Sequence, residues 1–287
     1  MSGAGTGSDG PAASVVVPSR DRPDALAACL RALEAQDATS FEVVVVDDGS
    51  TDADAVARVV EGADRARLVR GEGRGPAAAR NLGARAARGP VVCLTDDDCR
   101  PGPGWVAALA AALADGADVV AGPTRNGRPG VAVAAASQAV TNHLTDASAD
   151  GRGHVGFAPT SNVAARREVL AAHPFDEDYP LAAGEDREWC ARLAADGIAL
   201  TWVPEAGVDH HQDLDLVRFW RQQQRYGRGA HRVHAGTEGR RLQPPSFYRD
   251  LVHRGFGEGG RAGALVLLAQ VATATGVARE AWAARRR

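Results

Sequence analysis

The stretch Glu42-Val-Val-Val-Val-Asp-Asp-Gly-Ser50 decides the fold of this chain. Its four consecutive valines have no polar face, and β-branched residues favour strands. The run therefore predicts a strand that is buried on both faces and central in a parallel sheet. Ligands of open α/β sheets bind beyond the carboxyl ends of the strands. Since the run ends in Asp47 and Asp48, we expect this carboxylate pair at a binding edge of the sheet.

The same strand-then-acid pattern occurs a second time, in 90–98, where an apolar run ends in Asp96, Asp97 and Asp98. Apolar runs predict further strands at 14–17, 118–121 and 198–203, and one that ends near Ala164. Helical periodicity and helix start signals predict helices at 23–33, 76–88, 104–114, 185–196, 214–226 and the C-terminus. The Ala-rich segment 122–149 predicts irregular structure. This alternation is typical of the α/β class, with a mixed, mostly parallel sheet flanked by helices and a C-terminal helical extension.

Composition limits the classes of function. The chain has 287 residues, 45% of them hydrophobic, and a net charge of −3, so it can bury a full core but offers no general basic field for nucleic acid. All its basic side chains other than histidine are arginines. The four cysteines show no CxxC spacing, which favours reduced thiols and a cytoplasmic location. Residues 1–12 lack an apolar core and are expected to form a disordered tail, not a signal peptide.

The C-terminal segment 262–277 comes nearest to the length of a membrane span, but it contains Gln270 and several Thr and Gly residues. It is followed by three arginines at 285–287. We expect a packed C-terminal helix, and the alternative is a helix that lies on a membrane surface, giving peripheral contact at the inner membrane.

Two acidic clusters that follow two buried strands suggest a divalent cation. Adjacent carboxylates repel one another unless a cation neutralises them, and Mg²⁺ or Mn²⁺ binds few protein carboxylates together with diphosphate oxygens. The alternative for either cluster alone is a solvated Asp-rich turn. Arg80, in the predicted helix 76–88, is a candidate for a forked contact to a diphosphate.

Two further candidates lie later in the chain. Glu185 and Asp186 begin a predicted helix, where acids stabilise the helix N-terminus, yet a carboxylate in a cleft could also act as a general base. His210 and His211 follow the strand at 198–203. A lone histidine is more often structural, but this pair could place one imidazole on the metal.

Taken together, five motifs resemble family 2 glycosyltransferases in order and spacing. They are Ser14-Val-Val-Val-Pro-Ser-Arg-Asp21, Val43-Val-Val-Val-Asp-Asp-Gly-Ser-Thr-Asp52, Ala79-Arg-Asn-Leu-Gly83, Thr95-Asp-Asp-Asp-Cys99 with Trp105, and Gly184-Glu-Asp-Arg187. The resemblance covers about 14–211. It implies the GT-A fold in 13–212, with a nucleotide-binding half (13–121) and an acceptor half (122–212), and leaves 213–287 as the extension. It also implies inverting transfer of a sugar from a nucleoside diphosphate donor, with Mn²⁺ or Mg²⁺.

The resemblance also implies roles for single residues. Asp98 and His210 would hold the metal, Asp186 would be the catalytic base, and Glu185 is the competing choice. Contacts to the nucleotide sugar would come from Pro18, Ser19, Arg20, Asp21, Asp48, Arg80, Asp96, Asp97 and Arg225. The last of these lies in Gln222-Gln-Gln-Arg-Tyr226, which is similar to the QxxRW element of processive sugar polymerases.

Three alternatives remain beside glycosyl transfer. A sugar nucleotidyltransferase shares the nucleotide-binding half, but its Gly-rich, Arg-containing signature is missing after Val17. A phosphatase with an aspartate nucleophile needs DxDx(T/V) after a strand, and neither acidic cluster has that pattern. A nucleotide-sugar-binding protein without turnover is disfavoured by the intact acids. The acceptor, whether natural product, polysaccharide or lipid-linked glycan, is left open.

Overall fold

The computed structural model describes residues 10–38, 40–179, 183–235 and 243–286. The strands are β1 Ala13–Ser19, β2 Phe41–Asp47, β3 Ala66–Arg70, β4 Val91–Leu94, β5 Cys99–Pro101, β6 Val119–Ala121, β7 Thr124–Asn126, β8 His154–Val155, β9 Val163–Arg166, β10 Leu200–Trp202 and β11 Val208–His210. The helices are α1 Pro23–Glu34, α2 Ala53–Glu61, α3 Pro76–Ala86, α4 Trp105–Ala114, α5 Ala132–Ala147, α6 Arg167–Ala172, α7 Glu185–Ala195, α8 Leu216–Ala235, α9 Pro245–Gly257 and α10 Gly260–Ala284.

The large sheet has the strand order β3-β2-β1-β4-β9-β6-β10-β8. Strands β1 to β4 are parallel, and the register sets Ser19 opposite Asp47. The carboxyl ends of β1 and β2 therefore lie side by side, and the end of β4 is next to them. Strand β9 runs antiparallel between β4 and β6, which makes the sheet mixed. The predicted α/β class and the mostly parallel, helix-flanked sheet are confirmed.

A small second sheet, in the order β5-β11-β7, stands at the same edge. Strand β11 pairs His210 with Cys99 of β5 on one side and with Asn126 of β7 on the other. Because Cys99 directly follows the three aspartates after β4, this pairing brings His210 to these aspartates from more than 100 residues away in sequence.

Apolar side chains cover both faces of the large sheet. Helices α1, α2 and α4 bury residues such as Leu33 and Leu109 on one face, while α3, α6 and α7 bury residues such as Trp189 on the other. The C-terminal helices form a third cluster with α5, centred on Phe219 and Val266. The predicted helical extension is thus confirmed, and it packs on the domain through α5.

Several local predictions were wrong. The segment expected to be irregular contains α5, whose buried polar residues Ser137, Gln138 and His143 obscure the apolar stripe. The strand expected to end near Ala164 instead begins at Val163, after a single 3₁₀ turn. The C-terminal part holds α9 and α10 where one helix was expected. The predicted disordered tail lies mostly outside the described residues.

Candidate active site

The three aspartates that follow β4 have three different partners. Asp96 accepts a hydrogen bond from Arg80 at 2.7 Å, and Asp97, which is fully buried, accepts one from Ser19 Oγ at 2.8 Å. Asp98 Oδ1 lies 3.2 Å from His210 Nε2. The structure therefore brings together six of the predicted site residues: Ser19, Arg80, Asp96, Asp97, Asp98 and His210.

Arg22 is a site residue that the sequence reasoning missed. Its guanidinium lies 2.6 Å from Asp97 Oδ1 and 2.8 Å from Asp98 Oδ2. Burial raises the pKa of Asp98, but the charges of His210 and Arg22 outweigh burial and hold that pKa well below its usual value. For Asp97, burial dominates over the attraction of Arg22 and raises the pKa to about 7. The one signal in sequence was the position of Arg22, next to the Pro18–Asp21 motif.

Two side-chain amides contact Nδ1 of His210, the ring nitrogen that does not face Asp98. Its Nδ1 lies 3.2 Å from Gln138 Oε1 and 3.2 Å from Gln212 Nε2. Gln138 is a buried residue of α5, and Gln212 follows β11. These contacts fix the ring with Nε2 directed at Asp98. The carboxylate also raises the pKa of His210, against the lowering effect of burial.

Asp98, Cys99 and His210 are the described residues whose ligand atoms gather closely enough for a metal ion, all within 4.8 Å of one another. Burial and the neighbouring aspartates raise the pKa of Cys99 well above that of a free thiol, which disfavours its thiolate form. The other two ligand atoms are one carboxylate oxygen and one imidazole nitrogen. They fit a cation that takes oxygen and nitrogen, such as Mn²⁺.

Arg80 joins this cluster to the start of α7. It is 4% exposed, and its two terminal nitrogens contact Asp96 at 2.7 Å and Glu185 at 3.2 Å. Among the described residues its Nε has no hydrogen-bond partner, and neither does Glu185 Oε2. Arg80 therefore links two acidic segments that lie about 90 residues apart in sequence. Its predicted contact to a diphosphate stays a prediction.

The first turn of α7 carries the second acidic cluster. Gly184 enters the helix with φ +99°, a conformation that favours glycine. Burial and the charge of Asp186 raise the pKa of Glu185 to about 7, although Arg80 lowers it. Burial also raises the pKa of Asp186, whose Oδ1 accepts a hydrogen bond from the Arg187 N–H at 2.8 Å. Both carboxylates therefore hold protons more tightly than ordinary acids.

Helix α8 closes over the start of α7. A Cβ built on Gly229 would lie 2.4 Å from the Ala183 carbonyl oxygen, so the two backbones touch. Burial, followed by the charge of Asp186, raises the pKa of Tyr226, which neighbours Arg225. The segment 222–226 that resembled QxxRW thus lies beside the second acidic cluster.

Hydrogen bonds from backbone N–H groups fix two of the residues that were predicted to contact the nucleotide at the ends of β1 and β2. Asp21 has φ +56°, and its carboxylate accepts a hydrogen bond from the backbone N–H of Thr51 at 2.6 Å. Asp48 accepts the N–H groups of Arg74 at 3.0 Å and Gly75 at 2.8 Å, which fixes the loop before α3. Pro18 is buried at the end of β1, and Arg20 is exposed beside it. Their roles in nucleotide binding stay predictions.

Comparison with known proteins agrees with this geometry. Residues 14–173, more than half of the chain, match the model of the family described as glycosyl transferase family 2. The chain belongs to this family.

Two curated relatives of this family 2 glycosyltransferase are informative. The succinoglycan biosynthesis protein ExoU of Rhizobium meliloti is 30% identical over 240 residues, which is 72% of this chain and 66% of the relative. The pre-mycofactocin glycosyltransferase of Mycobacterium tuberculosis is 27% identical over 72% of this chain and 44% of its own length. The chain thus spans less than two thirds of the length of these relatives.

Solved structures show the same fold. The mannosyltransferase PcManGT of Pyrobaculum calidifontis, solved with GDP-Man and Mn²⁺, is 23% identical and superposes with a TM-score of 0.59 over 96% of this chain and 76% of that one. TarS of S. aureus, residues 1–349 with UDP, gives a TM-score of 0.54 at 20% identity over 85% of this chain and 72% of that one. The GT-A fold inferred from the motifs is confirmed.

Proposed function

We propose that this family 2 enzyme transfers a sugar from a nucleoside diphosphate sugar to an acceptor hydroxyl or amine, with inversion and with a divalent cation. One observation carries the proposal: Arg80 contacts both Asp96, which lies two residues before the Asp98–His210 pair, and Glu185, which directly precedes Asp186. The proposed cation site for the leaving diphosphate and the proposed base for the attacking group then lie on two sides of the Arg80 guanidinium.

We assign cation binding to Asp98 and His210. Their paired atoms, 3.2 Å apart, face one another across a gap that a cation can share, and the similar mannosyltransferase was solved with Mn²⁺. When bound, Mn²⁺ or Mg²⁺ supplies positive charge to the departing diphosphate. The donor would lie along the β1 and β2 ends, between Asp21 and Asp48, with Arg20 exposed toward it. GDP-Man and UDP in the similar structures support a nucleotide donor of this class.

We assign the role of general base to Asp186. A base works best when its pKa approaches the working pH, and burial raises the pKa of Asp186 in that direction. One oxygen accepts a hydrogen bond from the backbone N–H of Arg187, which restrains the orientation of the carboxylate. Glu185 is bound to Arg80, so it acts as a positioning residue that fixes the first turn of α7.

We propose that the acceptor extends into a cleft of about 670 Å³ with a mixed polar and apolar lining, between α5 and the junction of α9 and α10. Its polar and charged lining consists of Arg125, Asn126, Gln138, Asn142, Arg254, Glu258 and Arg261. Gln138 is also the amide that contacts His210, so the cleft begins one side chain from the cation site. Amide and guanidinium groups suit a hydroxyl-rich or anionic acceptor, which fits a natural product, a polysaccharide or a lipid-linked glycan.

We also propose a cytoplasmic location, at the inner membrane surface. All four cysteines are buried and free, which suits a reducing compartment.

The test is Asp186→Asn, an isosteric change that removes the base. Transfer should fall by about 10²- to 10⁴-fold, while calorimetric binding of UDP and GDP with Mn²⁺ stays within twofold of wild type. Asp196→Asn, on the exposed end of α7, is the matched control and should retain turnover. Normal turnover of Asp186→Asn across a donor panel would remove Asp186 from this role, and with it the base of the proposed reaction.

A further inference from the structure

Helix α10 has an exposed face that carries no charge over most of its length. Ala264, Leu267, Leu268, Val271, Ala274, Thr275 and Ala278 are all exposed on it. At 100° per residue they fall within one arc of the helix, with Val271 and Trp282 along its centre line. Leu267, Val271 and Trp282 are 48%, 55% and 56% exposed, values unusual for large apolar side chains. Phe256 of α9, 50% exposed, packs against Gly263 and extends the surface.

The charged residues of α10 at the two ends of this face are all arginines. Arg261 lies before it, and Arg279, Arg285 and Arg286 lie after it, all exposed. Arg286 stacks on the Trp282 ring at 3.5 Å, which places a guanidinium beside an interfacial aromatic. The acid of α10, Glu280, is buried and paired with Arg228 and Arg232 of α8. The exposed face of α10 thus offers arginines and apolar groups without an exposed acid.

The opposite face fixes α10 to the protein. A Cβ built on Gly276 would lie 2.1 Å from the Gln224 carbonyl oxygen, and one built on Gly227 would lie 2.0 Å from the Thr273 carbonyl oxygen. The backbones of α8 and α10 therefore touch at two places. Although α10 is long and apolar enough by composition to cross a membrane, crossing would break these contacts and expose Glu280. The uncharged stretch from Ala262 to Ala278 is also only about 24 Å long, shorter than a hydrocarbon core.

We propose that the exposed face of α10, with Phe256, lies on an anionic lipid bilayer, parallel to its surface. Apolar side chains enter the boundary of the acyl chains, and the arginines contact the acidic headgroups. The charge pattern favours an anionic bilayer over a second copy of this chain as the partner of this face. Two copies related by a twofold axis would bring arginine-rich ends of the same sign into one interface. The proposal goes beyond sugar transfer and does not depend on it.

The test is flotation of the full chain with vesicles of phosphatidylcholine, with and without one third phosphatidylglycerol. We expect binding to the anionic vesicles and weak binding to the neutral ones. Leu267→Ser with Leu268→Ser and Val271→Ser should abolish it. Replacing Arg279, Arg285 and Arg286 by Gln should reduce binding by about fivefold per arginine. The charge-matched control replaces the exposed Arg31, Arg58 and Arg85 by Gln and should bind like wild type.

A second readout locates the contact. The emission of Trp282, taken as the difference between wild type and Trp282→Phe, should shift to shorter wavelength when anionic vesicles are added. Thermal unfolding confirms that each variant is folded, since all changed positions are exposed. No flotation of the folded wild type, or flotation that the α10 variants leave unchanged, overturns the proposal. So does a wild-type dimer in analytical ultracentrifugation that the serine variant dissociates while vesicle binding is unaffected.

Discussion

Asp98 and the two carboxylates at the start of α7 differ in how their charge is balanced. Beside Asp98, His210 and Arg22 supply positive charge, and the pKa of that carboxyl is held far below its usual value. At the start of α7, burial dominates, so Glu185 has a pKa of about 7 and the pKa of Asp186 is raised as well. A carboxylate that stays ionised suits a cation, and one that holds a proton more tightly suits proton transfer. The difference teaches that similar residues, in two segments that Arg80 links, are suited to opposite tasks.

The largest expected effect comes from removing the connection between the clusters. Arg80→Leu leaves the buried Glu185 and the partly exposed Asp96 without their cation, and breaking one side of a buried ion pair costs about 3–5 kcal/mol of stability. Urea unfolding should show this loss. Arg85→Leu, an exposed arginine of the same helix, is the control and should cost less than about 0.5 kcal/mol. Equal losses in both variants would mean that Arg80 does not hold the clusters together.

The next largest effect tests whether the cluster around Asp98 binds the cation. Asp98→Ala should reduce the Mn²⁺-dependent affinity for UDP or GDP by at least about 100-fold, because it removes the ionised carboxylate of the proposed cation site. Isothermal titration with and without Mn²⁺ measures it. The exposed Asp115→Ala is the control. If Asp98→Ala bound the metal and nucleotide like wild type, the cation site would lie elsewhere.

The α7 cluster can be tested through pH. Because folding raises the pKa of Glu185 from 4.5 to about 7, the folded state binds that proton more tightly than the unfolded state does. Its contribution to stability is full below pH 4.5 and is lost as pH rises through 7. The free energy of unfolding of Glu185→Gln should therefore rise by about 3 kcal/mol relative to that of wild type between pH 4 and pH 8. A pH-independent difference between the two unfolding free energies contradicts the raised pKa.

The smallest effect concerns the support of His210. Gln138→Leu removes the amide oxygen at Nδ1 and should weaken Mn²⁺ binding by about 10- to 100-fold, the usual cost of losing a residue that orients a ligand. Electron paramagnetic resonance of Mn²⁺ with UDP measures the affinity directly. Gln243→Leu, at an exposed amide, serves for comparison. Unchanged Mn²⁺ affinity in a folded Gln138→Leu protein would show that the amide does not orient the ring.

Much of the nucleotide-binding side could be predicted from sequence because its signals are local. The valine run of β2 and the apolar run of β4 are buried strands, and the acids that follow them meet because parallel strands end at one edge. By contrast, β3 was not predicted, since it is an edge strand whose residues are half exposed and alternate with arginines. Helix α5 was missed because it buries amides and hydroxyls, which polarity rules assign to loops.

The contacts that complete the site depend on tertiary structure and left no pattern to find. Gln138 reaches His210 only because β11 adds to β7 beside the start of α5. Arg22 looked like an ordinary residue before a helix, yet the turn at Asp21 directs it to Asp97 and Asp98. Long-range pairing of this kind is set by the packing of separate elements, which residue spacing along the chain does not encode.

The touching backbones of Gly229 and Ala183 tie the C-terminal helices to the two carboxylates at the start of α7. A protein shortened at residue 212 would uncover the first turn of α7 to solvent, and hydration would return the acidities of Glu185 and Asp186 toward those of free side chains. The smallest fragment that keeps these acidities would therefore include α8, because the helical extension shields both side chains from water.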